Sequence, residues 1–362
     1  MVGARVSEGS SPVAAVVAAP LVPLRLHAGD TVAVVSTSWG GPSVFPHVFE
    51  RGLDVLRRRF GLNVREMPSA RRAARELDAD PRARADDMNA AFADPSVRAI
   101  VSSIGGVDSV RILPFLDPSV ALADPKVLIG YSDTSTQLAF YNLAGLVTFN
   151  GPAVMAGFAQ IEAFPGAIDH VRSLLFEPAP TYEYGPFASW VDGYANWSDP
   201  ANAGAVGEVR AHDGWRWLQG AGVARGRLFG GCGEVLEMMK GTRFWPVPSF
   251  WDGRLFFIET SEDAPTPDTV SYWLRNYGMQ GVFDRISGLL VGRARGYSDE
   301  AKARLDELVV RVVADEFGRP DLPIVSNLDF GHTDPQWVLP LGVLAEVDAG
   351  ARTIRLLEPA VR

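Results

Sequence analysis

From residue 29 onward the chain alternates short apolar, β-branched runs with longer runs whose apolar positions lie three or four apart. Residues 31–36 (TVAVVS) form a continuous apolar run that ends in the small polar loop 37–42 (TSWGGP), the pattern of a buried strand. In 44–60, Val44, Val48, Leu53, Leu56 and Phe60 fall near helical spacing, and Arg57, Arg58 and Arg59 close the run where cations favour a helix C-terminus. The rhythm then predicts a strand over 63–67, a helix over 81–92 with Pro81 in its first turn, and a strand over 97–102 (VRAIVS). A helix over 107–116, a strand over 126–130 (KVLIG), a helix over 134–144 stopped by Gly145, and a strand over 146–150 complete the first half. Strands alternating with helices of this length predict an α/β fold with a mostly parallel sheet covered on both faces.

Residues 160–222 break the rhythm. They are rich in Tyr, Trp, Pro, Gly and Asp, and read as a long connection followed by short antiparallel strands around Trp215 and Trp217. A second unit opens near Arg225, with strands over 225–229, 255–258 (LFFI), 286–291 and 324–330, helices over 234–240, 266–277 and 299–317, and several closing strands. The expected organisation is therefore an N-terminal extension (1–28), an N-terminal parallel-sheet domain (29–160), a linker and aromatic loop region (161–224), and a C-terminal α/β domain rich in β-strands (225–362).

Composition narrows the possibilities. A net charge of −9 with no basic block beyond Arg57–Arg59 argues against a nucleic-acid partner, since phosphate binding needs clustered cations. The single cysteine, Cys232, excludes an internal disulfide and a zinc site built on several cysteines, and suits the reducing cytoplasm. The apolar stretch 13–24 is interrupted by Pro20 and Pro23 and is too short to span a bilayer. It reads as a mobile extension rather than a signal peptide, and no membrane span is expected elsewhere.

The sharpest chemical signal is GYSDT at 130–134, between a predicted strand and a predicted helix. A serine on such a turn is lifted out of the sheet, beside the unpaired N–H groups of a helix N-terminus that favour a developing oxyanion. The same spacing suits Ser132 or Asp133 as an ordinary helix cap, and the turn is not the full G-x-S-x-G pattern. Gly105 and Gly106 end the preceding strand, where glycine lets backbone N–H groups face a ligand, although a plain turn has the same look.

Of five histidines, His332 is the best candidate base, because it follows a strand in a loop held by Gly331 and Pro335. His27 lies in the lead-in, His47 begins a helix, and His170 and His212 fall in polar stretches that read as surface. Glu259 ends the apolar run 255–258 and is delivered to a sheet rim, as a triad acid or as one half of a structural ion pair. Glu262 and Asp263 follow in a turn and read as solvated. Two competing chemistries have less behind them: Cys232 as a nucleophile ahead of a helix, and a metal site from Glu259, Glu262, Asp263 and His332 that lacks any paired-histidine spacing.

In their order, Gly105-Gly106, GYSDT, FIE at 257–259 and FGHT at 330–333 resemble the serine LD-carboxypeptidase family, which includes the microcin C immunity proteases. The resemblance runs from about residue 29 to 357 through NGP at 150–152, GRL at 226–228 with Gly230-Gly231, GVFD at 281–284, GLLVG at 288–292 and LPLG at 339–342. It implies that Ser132 attacks, His332 shuttles the proton and Glu259 orients His332, with the backbone N–H groups of Gly106 and Asp133 as the oxyanion hole. It further implies a homodimer with neither metal nor organic cofactor. Substrate-binding candidates are Gly105, Ser38, Trp190 and Trp197. The segment around Trp190 and Trp197 looks like the immunity branch, where a loop tryptophan stacks on a nucleobase of a peptidyl or aminoacyl nucleotide. Both indoles equally suit loop anchors. The other branch releases terminal D-alanine from cell-wall tetrapeptides, and a non-catalytic two-lobed ligand-binding protein is the alternative from another class.

Overall fold

Thr31–Val35, Val97–Ser102 and Val127–Gly130, the most apolar runs of the first half, pair in parallel, and only Thr31 and Arg98 among them escape full burial. They form the centre of a six-stranded sheet in the order Leu339–Leu341, Thr148–Asn150, Val127–Gly130, Val97–Ser102, Thr31–Val35, Asn63–Glu66. Every neighbour is parallel except Leu339–Leu341, which comes from the far end of the chain and runs antiparallel to Thr148–Asn150. The half-exposed Asn63–Glu66 forms the other edge.

The helix Pro46–Phe60 lays Val48, Phe49, Leu53, Val55, Leu56 and Phe60 in the core, with its basic last turn outside, as its periodicity predicts. The helix Ser135–Ala144 differs. Every residue but Ala144 is buried, because it lies between the two sheets of the molecule, and its Ser135 Oγ accepts the Cys232 N–H at 3.1 Å. The expected helix 107–116 is a 3₁₀ segment, Ser109–Phe115, with Pro114 inside it, where an α-helix would lose a hydrogen bond. The expected helix 299–317 is α-helical over Asp299–Val310 and π-helical over Arg311–Glu316.

The second sheet has eight strands. Val223–Cys232, Leu255–Glu259, Gly288–Gly292 and Ile324–Leu328 pair in parallel at its centre. Leu344–Asp348, Thr353–Leu356 and Tyr182–Tyr184 extend one side antiparallel, and Arg216–Gln219 closes the other. The region 161–224 therefore supplies both outer strands of this sheet. A separate hairpin pairs Ser189–Val191 with Val209–Ala211.

The structure describes residues 19–362, so most of the expected extension, residues 1–18, lies outside the described residues. Its last part is packed: Leu21 bridges Leu146, and the buried Leu26 donates its N–H to Leu175 O at 2.8 Å. His170 corrects the surface expectation as well. It is 5% exposed, its Nε2 accepts the Val338 N–H at 2.7 Å, and Nδ1 lies 2.7 Å from the Tyr182 hydroxyl. Burial pushes its pKa down to about 3, so the ring is neutral with its proton on Nδ1. His212 is also largely covered, with Nε2 3.6 Å from Asp329.

Trp337 packs between residues in or beside the two outer strands of the second sheet. It is fully buried, 4.6 Å between ring centres from Tyr184 and 5.2 Å from Trp215, and its Nε1–H donates to Gly185 O at 3.1 Å. A Trp337→Ala variant is expected to lose about 3–5 kcal/mol of stability, read from the urea midpoint at unchanged slope.

Candidate active site

The buried strand Val127–Gly130 ends in a turn that places Ser132 at φ +58°, a left-handed conformation that costs a residue with a side chain roughly 1–3 kcal/mol. A one-turn 3₁₀ segment, Ser132–Thr134, leads into the buried helix Ser135–Ala144. The second backbone that meets the serine is Gly105: a Cβ there would lie 2.7 Å from both Cβ and Oγ of Ser132 and 3.2 Å from the Asp133 nitrogen. Only glycine allows that approach. The Asp133 side chain points away from the serine, accepting the Asp108 N–H at 2.9 Å and the Ser109 N–H at 2.8 Å, and so pins the 105–109 loop to the elbow. Burial raises its pKa, with the Ser109 hydrogen bonds among those opposing. Ser38 borders the serine, but its hydroxyl donates to Asp108 at 3.1 Å, and Asp108 also takes two hydrogen bonds from the fully buried Arg84.

Glu259 arrives at the end of an entirely buried strand. Its Oε2 accepts the His332 Nδ1–H at 2.7 Å, and both residues are almost fully buried. The contact needs Gly331, at φ +107°, whose Cβ would sit 2.8 Å from Glu259 Oε2. Burial raises the Glu259 pKa, with His332 opposing. His332 Nε2 makes no aligned hydrogen bond, and Glu262 Oε2 stands 3.0 Å from it. Burial disfavours the imidazolium, but the Glu259 charge and hydrogen bond, joined by Glu262, prevail and push the His332 pKa up to about 10. The His332 contact holds Glu262 down at about 2, burial opposing.

Ser132 and His332 border one cavity of about 550 Å³, which Gly105, Gly106, Ser38 and Trp197 also line. Tyr131, Tyr194 and Arg295 line it too, and the sequence reading missed them; Tyr131 alone carried a signal, its place beside the serine. Trp197 stacks on Tyr194 at 4.9 Å and 20°, while His47 Nε2 lies 2.8 Å from its carbonyl. Trp190 lies outside the cavity. It is 2% exposed and ringed by Arg293, Lys302 and Arg210 at 4.8, 4.6 and 5.2 Å, an anchor rather than a ligand wall. Next to it, Val191 and Asp334 exchange both backbone hydrogen bonds, clamping the His332 loop. Cys232 is fully buried, with its thiol pKa driven up chiefly by burial, and so is a poor nucleophile. Cys232, Glu259 and His332 bring ligand-type atoms within 4.8 Å of one another, but the last two are already engaged with each other.

The models of the LD-carboxypeptidase N-terminal and C-terminal domains match residues 32–151 and 225–347. The chain belongs to the LD-carboxypeptidase family. A protein of Vibrio cholerae provisionally named a carboxypeptidase is 30% identical over 91% of this chain and 96% of its own length. The microcin C7 self-immunity protein of Escherichia coli is 28% identical over 94% of this chain and 96% of its own. A solved structure of a microcin C7 self-immunity protein superposes with a TM-score of 0.83 at 28% identity, covering 95% of this chain and all of that one. Others of that protein hold glutamyl sulfamoyl guanosine and aspartyl sulfamoyl adenosine. The α/β fold, with a parallel N-terminal sheet and a strand-rich C-terminal one, is the fold of these LD-carboxypeptidase relatives. The chain is a hydrolase of the serine carboxypeptidase type, which sets aside the non-catalytic alternative. Among the described residues no helix is long and apolar enough to cross a membrane.

Two measurements follow from the geometry. Gly105→Ala should cut turnover at least about tenfold, because its methyl displaces the Ser132 side chain, and the overpacking should cost about 1–3 kcal/mol of stability. The Glu262–His332 attraction requires the imidazolium. Its contribution to stability is fully present between about pH 4.5 and 6.5, the ordinary values of the two groups, and fades as pH rises through about 10. The urea midpoint of Glu262→Gln should therefore fall below that of the wild type at pH 6 and converge with it above about pH 10.

Proposed function

We propose that this chain is a Ser-His-Glu peptidase that hydrolyses the amide bond joining a peptidyl or aminoacyl group to a nucleotide-like moiety. The observation that carries the reading is the buried 2.7 Å pair of Glu259 and His332 at the edge of the one cavity that also holds Ser132 and the Tyr194–Trp197 stack. With Nδ1–H donated to Glu259, the imidazole in its neutral form offers the Nε2 lone pair to the Ser132 proton. Ser132 Oγ attacks the carbonyl carbon, and the oxyanion is held by the N–H groups of Gly106 and Asp133. Collapse breaks the C–N bond as His332 returns the proton to the leaving nitrogen. Water then attacks the acyl-serine by the same route, releasing the acid and restoring Ser132.

The nucleotide side of this reading is supported by the aromatic wall. A stacked Tyr–Trp pair suits a planar base and offers little to D-alanine. It is further supported by the aminoacyl sulfamoyl nucleosides bound in the microcin C7 self-immunity structures. Release of terminal D-alanine from cell-wall tetrapeptides is the second reading, favoured by the family match itself. The proposal includes a homodimer working in the cytoplasm.

Ser132→Ala should lower cleavage of an aminoacyl sulfamoyl adenosine on the order of a thousandfold or more. Full retention of activity would remove Ser132 from the chemistry. Trp197→Ala should reduce kcat/KM for the nucleotide compound about tenfold or more and leave any tetrapeptide cleavage unchanged. Equal losses on both substrates would make Trp197 a loop anchor.

A further inference from the structure

The cavity lining is acidic. Glu234, Glu262 and Asp263 line it together with Asp78 and Asp108, against Arg295 and the His332 ring. Most of these charges are already committed. Asp78 pairs with Arg111, Asp108 with Arg84 and Arg111, and Glu234 Oε1 accepts both the N–H and the hydroxyl of Ser261, at 3.0 and 2.8 Å. Those last two bonds fix the tight turn that carries Glu262 and Asp263, closed by the Ala264 N–H to Ser261 O at 3.2 Å. Asp263 is exposed and forms no ion pair among the described residues. Glu262 is about half exposed, 54%, and reaches back to the buried and otherwise unpartnered His332 Nε2.

Asp263, without an ion-pair partner among the described residues, and Glu262, half exposed and held only through His332, are a poor match for an acidic acyl group and a good one for a cation. Resting on the peptidase reading above, we infer that Glu262, seconded by Asp263, selects substrates whose aminoacyl group bears a positively charged side chain, of the lysyl or ornithyl kind. This is opposite in sign to the aspartyl and glutamyl ligands seen in the microcin C7 self-immunity structures. Recognition is coupled to the chemistry. Glu262 stands where the serine's proton must go, and its charge favours the protonated imidazole. A substrate ammonium that draws the Glu262 carboxylate to itself leaves Nε2 to Ser132.

Because both carboxylates face water, the expected discrimination is about tenfold per charge rather than the larger effect of a buried pair. The test compares lysyl and aspartyl sulfamoyl adenosine in two assays: binding to Ser132→Ala by calorimetry, and cleavage by the wild type. The expected result is at least about tenfold tighter binding of the lysyl compound, reduced to near parity in Glu262→Gln/Asp263→Asn with the Ser132→Ala background kept. Equal or tighter binding of the aspartyl compound, or a ratio unchanged in the double variant, would overturn the inference while leaving wild-type cleavage, and the peptidase reading, intact. Lysyl-selective binding without cleavage by the wild type would uphold the inference and count against the catalytic reading. Binding of neither compound would overturn both.

Discussion

A carboxylate at the end of a strand buried on both faces must be met by a donor, and Glu259 is met by His332. Much of the architecture around the cavity serves that meeting. Gly331 brings the loop backbone within reach of the carboxylate, and Val191 and Asp334 clamp the far end of the loop. Trp190, packed under Arg293 and Lys302, secures the strand that provides the clamp. A histidine so fixed keeps Nδ1–H on the carboxylate in either protonation state, so the proton it exchanges is the one on Nε2.

The serine is held by a different device. Its positive φ is imposed by the strand behind it and the buried helix ahead of it. That helix also touches the second sheet through Ser135 and Cys232, so the element that strains the serine borders the sheet that delivers Glu259. Asp133, next in the chain, spends its carboxylate on the 105–109 loop. Two glycine-bearing backbones and a helix N-terminus thus converge on Ser132 without a flexible side chain among them.

Much of this was legible in the sequence, for a physical reason. The strands of the two parallel cores are runs of apolar residues that have no other stable place, and GYSDT, FIE and FGHT each sit where such a run ends. What was hidden depends on contacts between distant segments. Trp190 and Trp197 share composition and neighbourhood, yet one is enclosed by three cations and the other lines the cavity. Glu262 reads as a solvated turn residue, and it is half exposed; its reach to His332 follows from how Glu234 grips Ser261. His170 looked polar and superficial because Val338, which donates to it, is far away in sequence. Arg295 and Tyr194 carried no local signal.

The strand Leu339–Leu341 belongs by covalent order to the half that carries His332, and by pairing to the sheet that carries Ser132. During synthesis the N-terminal half emerges with Thr148–Asn150 as a bare edge, and it stays bare until residue 341 has been made. The two halves are therefore not interchangeable modules: a chimera joined between them would inherit a latch cut for another lock. The same latch sews the C-terminal half to the edge of the sheet that carries Ser132.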